Sequence, residues 1–547
     1  MNKNIKTYLL AFGLLFTLYA CQDILNTNSS LFALEDEYQV SNETEALNAL
    51  TGIAGELVSI ADRYVLMGEL RGDLMMTSEF ASSELQDVAR FQVSKENEYV
   101  DKRDYYRIIN NCNFLLQKLD TSLIMQNEKV LLRCHVWTKT LRAWTYFQLG
   151  QVYGKATYFT EPILDLNASL TVYPELQLDD LVNTLIDELK PYASLFTNNA
   201  FSYIIHLRML LGDLYLYKND YRTAASLYYD EITDWQITIP NNANRWANMN
   251  MESVSIGHAG TYSGEVITNI SGYISMQNTY SRLVNLSYND KPSIIPAENY
   301  VRFMSEALYL HAASDGVLPV QSGGDLRGYV PFKYSNFGDA YNYVDVKGNQ
   351  ECLIYKYYNN SNYFNGSVRD NELLYGLNIN TNIPIYRRPH LYLRFAEALN
   401  RLGKPTLSFA VLKYGLKDAI VRDTIMVRVN PDELGEEFTH FPLATFFDGN
   451  TAMSGRGRGG GVPLDTVNFI IPDLPSKQDS ILWVEDRILE EFAAETPFEG
   501  NRFFDLLRIS SRRPNHPEYM AEKVAAKYKD KEAMKAKLMN REIWFLP

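Results

Sequence analysis

Two windows of this chain carry the large–small–large spacing of a helical hairpin, and a chain built on that unit is committed to a mainly α scaffold. In the window beginning at Ile205, Arg208, Leu211, Gly212, Tyr215, Ala224 and Tyr228 occupy positions 4, 7, 8, 11, 20 and 24. In the window beginning at Pro389, Phe395, Ala396, Leu399, Ser408 and Leu412 occupy positions 7, 8, 11, 20 and 24. The small residues let one helix approach the other. Lys218-Asn219-Asp220-Tyr221 and Gly403-Lys404-Pro405 supply the turns. Apolar periodicity predicts further helices over 42–66, 99–120, 126–153 and 177–196, then from Ser480 to Glu495, around Phe503 to Ile509, and from Pro517 to Asn540.

Tandem hairpins of this kind recur about every 34 residues. The two windows stand much farther apart, so a long segment is inserted between them. Residues 236–384 form that insert, rich in Asn, Tyr, Ser and Gly, with short β-prone runs such as Glu265-Val266-Ile267 and Cys352-Leu353-Ile354-Tyr355. Long irregular segments on a rigid scaffold are where binding residues concentrate. A polar loop carrying Phe80, Phe91 and Tyr99 separates the first two helices. A second loop-rich stretch, Asn430 to Lys477, contains Gly455-Arg456-Gly457-Arg458-Gly459-Gly460-Gly461. Val462-Pro463 follows where a phosphate-cradling loop needs Lys-Ser/Thr, so this run reads as a surface loop.

The net charge of −14 argues against nucleic acid as a partner, which demands a basic face. Cys112, Cys134 and Cys352 are an odd set with no Cys-x-x-Cys pair, and read as buried free thiols. The seven histidines include no His-Glu-x-x-His pair, and neither a twelve-residue calcium loop nor a Gly-x-Ser-x-Gly elbow occurs. The expectation is a chain with no catalytic residues, metal or cofactor, and not an enzyme. Its 38 Tyr, 26 Phe and 6 Trp instead equip it for a wet, aromatic binding surface.

The amino terminus sets the compartment. Lys3 and Lys6 precede an apolar run from Tyr8 to Tyr19, too short to span a bilayer, so residues 1–20 read as a signal peptide. Leu18-Tyr19-Ala20-Cys21 resembles a lipobox, which implies cleavage before Cys21 and a lipid anchor on its sulfur. Residue 22 is Gln rather than Asp, leaving outer-membrane sorting open. No later segment offers 18 apolar residues in a row.

Together these features resemble the SusD/RagB family of outer-membrane nutrient-binding lipoproteins. The residues that carry the likeness are the lipobox, Leu141-Arg142-Ala143-Trp144-Thr145-Tyr146-Phe147-Gln148-Leu149 running into Tyr153-Gly154 and Thr160-Glu161-Pro162-Ile163, and the hairpin Gly212 to Ala225. To these are added Arg387 through Gly403, Ile488-Leu489-Glu490-Glu491-Phe492 with Phe498 through Arg508, and the closing Trp544-Phe545-Leu546-Pro547. The resemblance implies one domain over 21–547. About four tetratricopeptide-like hairpins would form its scaffold, with the irregular, short-β insert on one side. It also implies a surface lid for a TonB-dependent, SusC-like transporter, anchored to the outer membrane and exposed at the cell surface. The lid would capture an oligosaccharide, or an oligopeptide as in some members. A helical glycoside hydrolase is the alternative of another class, and would need paired carboxylates across a cleft.

Glu499, Arg502, Asp505 and Arg508 recur at three-residue spacing and are expected to form a charged ladder that holds the C-terminal helix to the scaffold; catalysis by Glu499 and Asp505 is the competing reading. Sugars offer apolar faces to aromatic rings and hydroxyls to polar side chains. Candidate ligand contacts are Arg71, Asp73, Phe91 and Tyr99 in the loop from Arg71 to Asp104, and Trp246, Tyr280, Tyr334, Tyr341 and Tyr343 in the insert.

Overall fold

The computed structural model describes residues 39–195, 201–235, 265–271, 282–287, 291–306, 308–312, 319–323, 352–354, 383–413, 421–425, 428–435, 437–441 and 470–547, with isolated residues between these runs. The signal segment, Cys21 and most of the insert lie outside them. Among the described residues no helix is long and apolar enough to cross a membrane.

The scaffold opens with α1 (Glu43–Gly55) and α2 (Val58–Glu69). Asn42 caps α1 by accepting the Glu45 N–H at 3.0 Å, ahead of an acidic first turn. One continuous helix was expected over 42–66. The backbone instead tightens at Glu56 and Leu57, whose N–H groups bond to Ile53 and Ala54 three residues back, and the axis is interrupted there. β1 (Met75–Thr77) and α3 (Ser83–Ala89) then arise inside the stretch read as a polar loop, α3 started by Ser82 accepting the Leu85 N–H.

The first hairpin pairs α4 (Arg103–Lys118) with α5 (Leu132–Tyr153). Their connection carries a tight ribbon of β2 (Ile124–Met125) and β3 (Glu128–Lys129). α5 is buried almost all round, the mark of a central helix. It ends at Gly154, whose φ of 75° is left-handed. β4 (Lys155–Thr157) and β5 (Glu175–Gln177) pair beyond it, and the loop between them includes the single turn α6 (Leu166–Ser169). α7 (Leu178–Leu189) lies against α5 and the next helix.

α8 (Leu207–Tyr217) and α9 (Tyr221–Asp234) form the second hairpin. A Cβ on Gly212 would lie 2.4 Å from the Tyr228 ring, which explains why the contact position holds a glycine. Of the insert, the described parts are anchored to the scaffold. β6 (Val266–Ile270) pairs antiparallel with the strand Ile383–Arg387, β10, and α10 (Leu283–Ser287) leads to β7 (Ile294–Pro296), which pairs with β1. α11 (Glu298–Glu306) and the ribbon β8 (Leu308–Ala312) with β9 (Pro319–Gly323) follow. β10 (Ile383–Arg387) runs directly into the third hairpin, α12 (Arg388–Arg401) and α13 (Pro405–Lys413). There the Ser408 hydroxyl donates to the Ala396 carbonyl at 2.7 Å, a small residue against a small residue.

α14 (Lys477–Glu495) packs on α12 and α13, and α15 (Arg502–Ser510) returns to pack on α2, so the last helices close against the first. The helix expected from Pro517 to Asn540 is two: α16 (Glu518–Ala525) and α17 (Lys531–Leu538). Asp530 accepts the Ala533 N–H and starts a new helix, so the axis turns. The result is a mainly α, tetratricopeptide-like stack with only two-stranded sheets among the described residues.

Candidate functional site

The charged ladder that leads into and runs along α15 is interior, and it pairs mostly with other elements rather than with itself. Glu499 precedes α15 and is fully buried; it accepts from Arg387 Nε at 3.0 Å and Nη2 at 2.7 Å, and from Lys356. Arg502 reaches Asp73 at 2.6 and 2.9 Å. Asp505 accepts from Arg508 at 2.7 Å, and Arg508 in turn holds Glu397 at 2.9 and 2.6 Å. Arg394 bridges Asp505 to Asp213, and Asp213 also accepts the Tyr228 and Tyr386 hydroxyls at 2.7 and 2.9 Å. Burial alone pushes the Glu499 carboxyl up, but the charges of Arg387 and Lys356 override it and hold the group at about 2. The arrangement staples α12, α14, α15 and the insert root together. A cavity of about 20 Å³ beside Arg394, Asn501 and Tyr64 has room for one water.

The sequence-chosen loop residues sit inside this packing. Arg71, Asp73, Phe91 and Tyr99 are only 1, 6, 5 and 2% exposed. Arg71 donates to the Met67 carbonyl at 2.9 Å and the Trp544 carbonyl at 2.7 Å, with its guanidinium 4.4 Å from the Phe503 ring centre. Asp73 is spent on Arg502. Phe91, at a positive φ of 56°, packs on Phe503 with ring centres 6.0 Å apart. The loop folds under the C-terminal helices rather than outward, which is why its anchors face the core. Trp246, Tyr280, Tyr334, Tyr341 and Tyr343 lie outside the described residues.

What the loop does present to solvent is a ledge and a cleft. On the ledge Phe80 is 39% exposed, with the Lys291 ammonium 5.8 Å from its ring centre. β1 against β7 and the Ser78 hydroxyl on the Pro292 carbonyl fix its base. Arg282 covers the Tyr99 ring and lies 3.9 Å from Glu98, which also lines the cleft. The cleft is open, about 1200 Å³, and is bounded by residues 95–103, α4 and the chain end at Pro547. Tyr106 and Phe159 stack in its wall, ring centres 6.0 Å apart and 24° from parallel. Arg103 stands at its edge in a fork onto Asp101, a hydrogen bond that holds the Asp101 carboxyl near 2. Arg103 and Tyr106 fall in or beside the loop singled out from sequence. Phe159 was missed, because its place depends on the β4–β5 loop folding back onto α4. Asn110 fastens that loop through the Ile163 N–H at 2.7 Å and carbonyl at 3.0 Å.

A shallow aromatic wall with charged forks at its rim suits a ligand with both apolar faces and hydroxyls or amides. Among the described residues no group of three His, Cys, Asp or Glu side chains could hold a metal.

The fold and site define a helical-repeat scaffold with a neutralised ionic interior and an open aromatic cleft. Comparisons agree on which scaffold it is. A SusD superfamily protein of Bacteroides vulgatus superposes with a TM-score of 0.60 at 14% identity, over 92% of this chain and 93% of the other. A SusD-like carbohydrate binding protein of the same organism superposes with a TM-score of 0.53 at 15% identity, over 86% and 84%. In sequence the chain is 22% identical over 419 residues to a SusD-like protein of Formosa agariphila, covering 74% of this chain and 80% of the relative. No family model matches. The chain shares the fold of these proteins and is similar in sequence to a SusD-like protein over most of its length.

Proposed function

We propose that this chain is a nutrient-capture lipoprotein of the outer membrane: residues 1–20 direct export, Cys21 carries the lipid anchor, and residues 21–547 form one binding domain. It holds an oligosaccharide at the cell surface and delivers it to a SusC-like, TonB-dependent transporter, for which it acts as the lid. The observation that carries the reading is the pairing of an internally neutralised scaffold with an open aromatic cleft, on a chain similar along most of its length to SusD-like proteins. Carboxylates such as Glu499 and Asp505 are packed among arginines, a setting suited to holding helices together. The half-buried Tyr106 ring and forked Arg103 at the cleft, with Phe80 exposed on the ledge, suit reversible capture.

Isothermal titration of the mature protein against a glycan panel tests it, with oligopeptides alongside. Saturable glycan binding without release of reducing ends is the expected result. Saturable binding confined to peptides would transfer the role to peptide uptake, and steady release of reducing ends by pure protein would replace capture with hydrolysis.

A further inference from the structure

Exposed aliphatic side chains are concentrated on two connections, the β2–β3 ribbon and the β4–β5 loop. Ile124 and Met125 on the β2–β3 ribbon are 61 and 50% exposed; Leu164, Leu166, Leu170 and Val172 in the β4–β5 loop are 46, 73, 72 and 95% exposed. These are six of the eleven large exposed apolar residues described. The loop is not loosely placed: Asn110 grips Ile163, Asn113 donates to the Phe159 carbonyl at 3.2 Å, and Tyr173 donates to the Ala168 carbonyl at 3.1 Å. Its first part, Glu161 to Leu164, lines a depression with Gln117 to Asp120 at the C-terminal end of α4, and the ribbon begins six residues beyond Lys118. Apolar groups gathered on adjoining exposed segments, unlike single scattered ones, mark an interaction site.

The amino-terminal chain arrives at the same place. Gln39, the first described residue, lines one depression with Leu164, Lys118 and Asp120. Cys21 lies eighteen residues earlier, so a lipid there can be no more than about 65 Å away along an extended chain. We propose that this aliphatic patch is a bilayer-contact surface that seats the protein on the membrane beside its tether, an inference that rests on the anchored reading above. The residue types favour lipid over protein. Interface centres are enriched in Trp, Tyr and Arg, whereas the exposed groups here are Leu, Ile, Val and Met. The flanking charges, Lys118 and Lys129 against Asp120, Glu128, Glu161 and Asp165, give no cationic excess, so contact is hydrophobic and does not need anionic lipid.

The test uses the full processed lipoprotein in zwitterionic phosphatidylcholine vesicles, carrying Cys352→Ser and a nitroxide at either Val172→Cys or Ile425→Cys; Ile425 is 81% exposed and serves as the control. The expected result is an oxygen-to-nickel collision ratio several-fold higher at 172 than at 425, unchanged by salt. Equal, water-like ratios on protein that floats with the vesicles would overturn the contact surface and leave the anchor standing. Protein that does not float would overturn both. A label at 172 that is shielded only when the transporter is added would assign the patch to protein docking instead and overturn the proposal.

Discussion

At the scale of single residues, the molecule is held by buried charge pairs that cannot be halved without consequence. Removing one partner strands the other in a low-dielectric interior, so Arg387→Met or Glu499→Gln is expected to lower unfolding free energy by about 3–5 kcal/mol, measured by urea denaturation. The carboxyls differ in the sign of their pH response. Glu499 is held at about 2 against an ordinary 4.5, so its contribution is present above 4.5 and is lost as pH falls toward 2. Glu69 is the opposite case. Burial raises it to about 7 against the N–H groups of Gly500, Phe498 and Arg502, so the protein loses stability as pH rises from 4.5 to 7. The melting temperature of Glu69→Gln, taken relative to the parent, should therefore climb between pH 5 and pH 8. Sequence spacing disclosed the ladder of Glu499, Arg502, Asp505 and Arg508 as structural charge. It did not disclose the partners, since Asp73, Glu397 and Arg387 come from distant segments and only folding makes them neighbours. For the same reason Arg71 and Asp73 looked like ligand groups on a loop and turned out to be core.

At the scale of elements, periodicity located the helices and end chemistry decided their limits. The hairpin spacing was legible because it is steric: Gly212 faces Tyr228 and Ala396 faces Ser408. The interruptions were not, because a tightened turn at Glu56–Leu57 leaves the apolar stripe intact. The break after α16 did carry a signal, the capping residue Asp530. Asp530→Ala should cost about 1 kcal/mol, seen as a small fall in the denaturation midpoint with binding unaffected. The short strands were legible only where the run was apolar. Val266 and Ile267 announce β6, but its register against β10 is set by tertiary pairing.

At the scale of the whole molecule, capture and stability should separate. Phe80→Ala and Arg103→Ala, on the ledge and at the cleft edge, should each weaken ligand binding by about tenfold, the worth of one stacking or charge-assisted contact, with the melting temperature unchanged. Asp73→Asn should do the reverse, lowering the melting temperature while the protein that remains folded binds normally. Titration calorimetry beside differential scanning calorimetry reads both.

The last four residues carry a practical corollary. Trp544 and Leu546 are buried, and the Leu546 N–H bonds to the Val152 carbonyl at 3.0 Å, so Pro547 is pinned in the lining of the cleft. Any residues that follow Pro547 would therefore start at the cleft wall and crowd it. Handles for purification or immobilisation belong elsewhere on the surface.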